Sequence, residues 1–290
     1  MQTEMVDTIY GQFCTIADDL VTQQLKTYSA HTRNEIAMLL SVLREQDIVL
    51  DIGAHIGTFA IPIVSSFKGN IKVFAFEPQA DVFELLQKNI QLNNLGNCIV
   101  TFNGLVSNQK EEFRQRVTHS DNSMATMFIP VELDETSETI GKKADIKIYS
   151  IDQMIQEGDI PADINVVKID TEGAELKVIN SCLKLLKSNL PVVYGEINVG
   201  ALEEFETTPD DIDAVLSAFG YHFFRNVGDR NSTNDSFKLA RIKQLKNGGP
   251  FFDFLAIHPD SERYPSVAAS YNYFSTANRL NRIMQNFRQR

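Results

Sequence analysis

The sequence predicts an α/β protein built on a mostly parallel sheet, and three observations carry that prediction. Short apolar runs, "IVLDIG", "IKVFAFEP", "CIVTFNGLVS", "INVVKIDTEG" and "PVVYGEI", end in an acid, a glycine or a polar residue, as strands buried on both faces do. Stretches of helical period separate them, so strands and helices alternate. The turn after the first run carries Gly53 and Gly57, at the place where an open α/β sheet holds its ligand.

Residues 1–46 contain "NEIAMLLSVLRE", which puts Ile36, Leu39, Leu40 and Leu43 at helical spacing, so this segment is expected to form a helical N-terminal cap. The main domain is expected over residues 47–258. Helices are expected over Thr58–Phe67 and Ala80–Asn93, with "NNLGN" as the stop signal. Residues 108–147, with "THSDNSMAT" and "ELDETSE", hold no sustained period and read as an extended lip containing a hairpin; long irregular insertions in compact domains are more often functional than structural.

Leu176, Ile179, Leu183 and Leu186 then stripe one helix, Pro191 opens the next strand, and a helix is expected around 209–219. "YHFFRN" and "FFDFLAIH" read as a terminal strand pair joined by a polar insert at 226–249. The tail, 259–290, is expected to be helical, because Phe274, Ala277, Leu280, Met284 and Phe287 share one face. It is expected to dock on its own domain or on a second copy, the latter giving a homo-oligomer through this helix, with a membrane-surface helix as the alternative.

Composition narrows the function. Lys and Arg number 27 against 38 Asp and Glu, a formal net charge of −11, so the field of the molecule repels nucleic acid and anionic membrane. No stretch approaches the roughly 18 apolar residues of a membrane span, and no basic segment followed by an apolar run opens the chain. Cys14, Cys98 and Cys182 are odd in number and far apart, which argues against a disulfide framework or a structural zinc site. A cytoplasmic protein without a nucleic-acid partner is expected.

The first loop reads Asp51-x-Gly53-x-x-x-Gly57, with His55 where a dinucleotide fingerprint would put its second glycine. A pyrophosphate needs bare backbone there, so a nicotinamide cofactor is disfavoured. Glu77 closes the second strand 26 residues after Asp51, where a βαβ unit puts an acid to accept the ribose hydroxyls of a nucleoside. A ligand with a ribose and an amino-acid portion but no phosphate is S-adenosylmethionine.

"VLDIGAHIGTFAIP", "FAFEPQADVFELLQKNIQLNNLGN", "VVKIDTEGAELKVI" and "VVYGEIN", in this order, resemble the FkbM-type family of S-adenosylmethionine-dependent O-methyltransferases over roughly residues 8–258. The family's first loop commonly has Asn where this chain has His55. The resemblance implies a Rossmann-like class I methyltransferase fold, a seven-stranded, mostly parallel sheet with the last strand antiparallel. It also implies a hydroxyl acceptor on a small molecule, sugar or glycan.

Asp51, Gly53, Ala54, His55, Gly57, Glu77, Pro78, Asn103, Asp170 and Glu172 are the expected cofactor-binding residues. Asn103 follows the third strand, where adenine would be contacted. For catalysis, Asp170 and Glu196 end the fourth and fifth strands, and His119 sits in the lip; each would take the proton of the acceptor hydroxyl. His31, in the N-terminal segment, is positioned to close over the donor. The crowded acids also suit a divalent metal, but without an accompanying His–Asp–Asn cluster a metal is not favoured. An N- or RNA methyltransferase and a non-catalytic nucleoside-binding module remain as alternatives.

Overall fold

Residues 3–16 form a hairpin rather than the expected helix: β1 (Thr3–Thr8) pairs antiparallel with β2 (Gly11–Ile16). Val6 and its cross-strand partner Phe13 are buried on one side of it, and Cys14, on the other side, is buried as well. The helical expectation holds further on, in α1 (Leu20–Tyr28) and α2 (Arg33–Leu40). In this computed structural model, residues 2–109, 112–117, 126–131, 143–144, 146–228 and 235–270 are described.

The domain then runs β3 (Ile48–Ile52), α3 (Ala60–Ser66), β4 (Lys72–Glu77), α4 (Ala80–Leu92) and β5 (Ile99–Asn103), followed by the short β6 (Leu105–Val106). In the lip, β7 (Phe113–Val117) pairs antiparallel with β8 (Thr126–Pro130), which is the expected hairpin, and β9 (Lys143–Ala144) adds a third strand. Next come β10 (Ile148–Tyr149), which pairs with β6, and α5 (Ile151–Glu157), β11 (Val166–Ile169), α6 (Glu175–Asn180) and α7 (Leu183–Asn189). The single helix expected from the leucine stripe is thus broken in two. Asp152 of α5 accepts the backbone N–H groups of Lys184 and Leu185 at 2.8 and 3.1 Å, satisfying the first turn of a new helix.

The remainder is β12 (Val192–Asn198), α8 (Val199–Glu203), α9 (Pro209–Ala218), β13 (His222–Asn226), β14 (Leu239–Ile242) and β15 (Phe251–Ile257). The main sheet has the order β5-β4-β3-β11-β12-β15-β13-β14. β5 to β12 are parallel, while β15 runs antiparallel to both of its neighbours. The seven expected strands are there with the last one reversed, and β14, inside the expected polar insert, adds an eighth at the edge. Order reverses between β3 and β11, because the chain builds outward from β3 in one direction and returns through β11 in the other. That is the switch point at which such sheets bind ligands.

Apolar side chains cover both faces of the sheet. Val49, Val73 and Leu255 pack with α1–α4 on one face, and Leu50, Val167 and Phe254 with α5–α9 on the other. The N-terminal segment belongs to the first of these cores. Asn89 of α4 accepts from Cys14 N at 2.7 Å and donates to Cys14 O and to Ile56 O, so one amide ties hairpin, helix and first loop together. At the other end of the chain, Arg263 donates to Val42 O, Tyr264 bonds His222 and Val267 is buried, which docks the start of the tail on its own domain. The expected helical face from Phe274 to Phe287 lies outside the described residues. Among the described residues no helix is long and apolar enough to cross a membrane.

Candidate active site

The loop after β3 turns on two glycines and one histidine. Gly53 sits at φ +79°, and a Cβ there would come within 1.8 Å of the Asp170 carbonyl oxygen. Gly57, at φ +95°, lies against Ile61 and Leu86, so the loop closes tightly on α3 and α4. His55 also takes a left-handed backbone, φ +51°. Asn, Asp and His are the non-glycine residues that visit this region most readily. The missing second glycine is therefore replaced by a residue that holds a similar backbone hand and adds a side chain. Burial lowers the His55 imidazole to about 4, so it is neutral near pH 7 and adds no positive charge to the site.

Glu77, at the end of β4, is 3% exposed. Its Oε2 accepts the His55 N–H at 2.8 Å and its Oε1 accepts the Gln79 N–H at 2.9 Å. A carboxylate oxygen has two lone pairs, so each keeps acceptor capacity for a ligand. Burial raises this carboxyl to about 7, partly offset by the two backbone donors. Asn103 is opposite Glu77 in the β4–β5 ladder, and its amide donates to Glu77 O at 2.9 Å, fixing the strand end and the turn that follows.

Within β11, opposite Asp51 of β3, is Lys168, 1% exposed and the only buried lysine or arginine among the described residues. Its Nζ is 2.6 Å from Gly53 O, 3.0 Å from Asp51 Oδ1 and 3.7 Å from Asp170 Oδ2. Burial pulls against its charge, but the carboxylates of Asp51, Asp170 and Glu77 outweigh burial and hold the ammonium above its ordinary value.

Past β11, Glu175 accepts the N–H groups of Thr171 and Gly173 and the Thr171 hydroxyl on one oxygen, which folds "DTEGAE" into a tight loop. Glu172 is at φ +51° and is met by the Asn198 amide at 3.5 Å. Oxygens of Asp170, Glu172 and Glu196 lie within 4.8 Å of one another. Three acids at that spacing make a strongly negative corner, able to accept a proton or to attract a cation.

These groups surround a cavity of about 740 Å³ that is continuous with solvent. Gly53, His55, Glu77, Pro78, Asp170 and Glu172 line it, and so do His31 from the N-terminal segment and Thr126 and Phe128 from the lip. Asp51, Ala54, Gly57, Asn103 and Glu196 are not among the lining residues. Asp51 is turned to Lys168, and the other four stand next to lining groups. His119 lies outside the described residues. Neither Arg225 of β13 nor the insert's described basic residues Lys238, Arg241, Lys243 and Lys246 line the cavity; Arg225 bonds Gly248 O and Lys246 pairs with Asp210. Lys168 and Glu175 were not foreseen from the sequence. The signal for Lys168 was available, since a lysine inside the apolar run "NVVKID" must find a charge partner once buried.

Strand order, reversed β15 and a polar cavity at the switch point define a Rossmann-like fold of the class I methyltransferase type. The chain belongs to the FkbM methyltransferase family: the methyltransferase FkbM domain matches residues 51–223. The matched domain is a methyltransferase domain. A curated relative, hexuronic acid methyltransferase AglP of Haloferax volcanii, is 33% identical over 182 residues, and the match spans 63% of this chain and 66% of that protein's length. Among solved structures, methyltransferase FkbM from Methylobacillus flagellatus is similar at a TM-score of 0.44 and 15% identity, covering 74% of this chain and 44% of that one. TYW2 of M. jannaschii in complex with AdoMet is similar at a TM-score of 0.45 and 14% identity, covering 88% and 84%.

Proposed function

We propose that this protein transfers a methyl group from S-adenosylmethionine to a hydroxyl oxygen of a sugar or other small molecule, and that a sugar acid is the favoured acceptor. The observation that carries the donor half of this reading is the Glu77 carboxylate, lining the cavity with spare acceptor capacity on both oxygens. Such a group suits a ribose diol. The acceptor half is supported by the hexuronic acid methyltransferase relative, and the acids at the ends of β11 and β12 support only the loss of the hydroxyl proton.

When bound, the donor supplies an electrophilic methyl on a sulfonium. Gly53 and His55 would border its amino-acid portion and Glu77 its ribose, while Asn103 keeps the turn after β4 in place. Asp170 and Glu172 line the cavity and would lie near the methyl donor, and Asp170 or Glu196 would accept the proton that the hydroxyl loses. His119 remains a proposed base of the lip. His31, Thr126 and Phe128 border the same cavity and would keep water from the reacting oxygen. Our reading uses no divalent metal, since Asp170 already has a cation nearby in Lys168. Treatment with a chelator is expected to leave turnover unchanged, and a loss restored by added Mg²⁺ would reverse that view.

The direct test is calorimetric titration with S-adenosylmethionine and its demethylated product, followed by transfer of labelled methyl to glucuronic acid and to glucose. Saturable binding and label in the sugar acid are expected. A folded sample that binds neither nucleoside would sink the proposal.

A further inference from the structure

Lys168 has more partners than a counter-ion needs. An ammonium offers three N–H donors, and three oxygens lie within 3.7 Å of this one: Asp51 Oδ1, Gly53 O and Asp170 Oδ2. They belong to different parts of the site. Asp51 is inside β3 and fully buried, Gly53 O is in the loop after β3, and Asp170 follows β11 and lines the cavity. The same two loops touch at the glycine, where a Cβ on Gly53 would overlap the Asp170 carbonyl. The stem of Lys168 is itself confined, with its ammonium 5.1 Å from the centre of the Phe59 ring and Phe59 packed on Tyr194.

We propose that Lys168 is a positioning residue for the methyl donor: it neutralises Asp51 and, through Gly53 O and Asp170, holds the loops after β3 and β11 at the separation the donor requires. This rests on the reading that the cavity takes S-adenosylmethionine. It goes beyond that reading by assigning a function to a side chain that does not line that cavity. A plain counter-ion for Asp51 would be dispensable together with Asp51. A clamp between two loops is not, because removing both charges leaves Gly53 O without its donor and Asp170 without its cation.

The experiment follows from that difference. Dissociation constants for S-adenosylmethionine, with thermal midpoints, are measured for wild type, Lys168→Met, Lys168→Arg and the pair Asp51→Asn/Lys168→Met. Lys168→Met alone strands a buried carboxylate and is expected to lose stability. The pair leaves the net charge of the site unchanged and is expected to recover the midpoint, yet to bind the donor about tenfold more weakly. Lys168→Arg keeps a cation in reach of both loops and is expected to recover part of that affinity. Wild-type affinity in a folded pair variant overturns the inference and leaves the donor reading standing. A wild-type protein that binds no donor fails the donor reading instead. A spectroscopic arm needs no folded variant: the Lys168 side-chain nitrogen resonance of lysine-labelled wild type is expected to move on donor binding, and an unmoved resonance equally overturns the inference.

Discussion

Glu77 is the residue whose chemistry is most directly testable. Its carboxyl titrates near pH 7, because burial disfavours the charged form. Ribose hydroxyls donate hydrogen bonds, so the donor would select the ionised form. The sign follows: below about 7 most molecules hold a protonated Glu77 and must lose that proton on binding, so affinity falls as pH falls. Between pH 8 and pH 6 the dissociation constant is expected to rise by roughly tenfold, in proportion to the ionised fraction. Glu77→Gln is expected to bind weakly at every pH and to flatten the profile; a titration series in which the variant keeps the wild-type slope would assign the effect elsewhere. The sequence located this acid through its spacing from Asp51, but not the role of Asp51 itself. An acid at a strand end reads the same whether it faces a ligand or a neighbouring lysine, and only the β3–β11 pairing, Lys168 opposite Asp51, distinguishes them.

At the scale of elements, what the sequence left hidden was mostly what depends on long-range contacts. The parallel strands were legible because burial on both faces leaves continuous apolar runs. The N-terminal hairpin was not: its burial does not alternate, with Phe13, Cys14 and Thr15 buried in succession, and its edge is satisfied by side chains of α4 and of the residue that caps it, 75 or more positions away. Asn89 and Asn93 stand one helical turn apart and act as a substitute strand, each accepting from and donating to a backbone peptide of β2. Because Asn89 also holds Ile56 O, the hairpin is wired to the loop after β3. Asn89→Ala removes three buried hydrogen bonds and is expected to cost about 3 kcal/mol of stability, read by denaturant unfolding. It is also expected to weaken donor binding, whereas Asn93→Ala, which touches only the hairpin and its own helix, is expected to lower stability alone. Equal donor affinity in both variants would show that the hairpin supports the fold without supporting the loop.

For the molecule as a whole, the formal charge of −11 becomes an argument about the acceptor. The cavity itself is acidic, with Glu77, Asp170 and Glu172 on its wall, and the described basic residues of the 226–249 insert lie elsewhere. A sugar acid therefore approaches against the field, and its encounter rate is lowered by repulsion. Salt shortens the reach of that field from about 30 Å at 0.01 M to about 8 Å at 0.15 M. With a sugar acid as acceptor, kcat/KM is expected to rise by about threefold over this range, while a neutral sugar should show little change. An RNA acceptor would behave in the opposite way, since its binding depends on counterion release and weakens as salt increases. The slope of kcat/KM against ionic strength thus separates the three acceptor classes on one enzyme preparation. A falling slope with the sugar acid would mean that positive charge reaches the acceptor from a part of the chain other than these described basic residues.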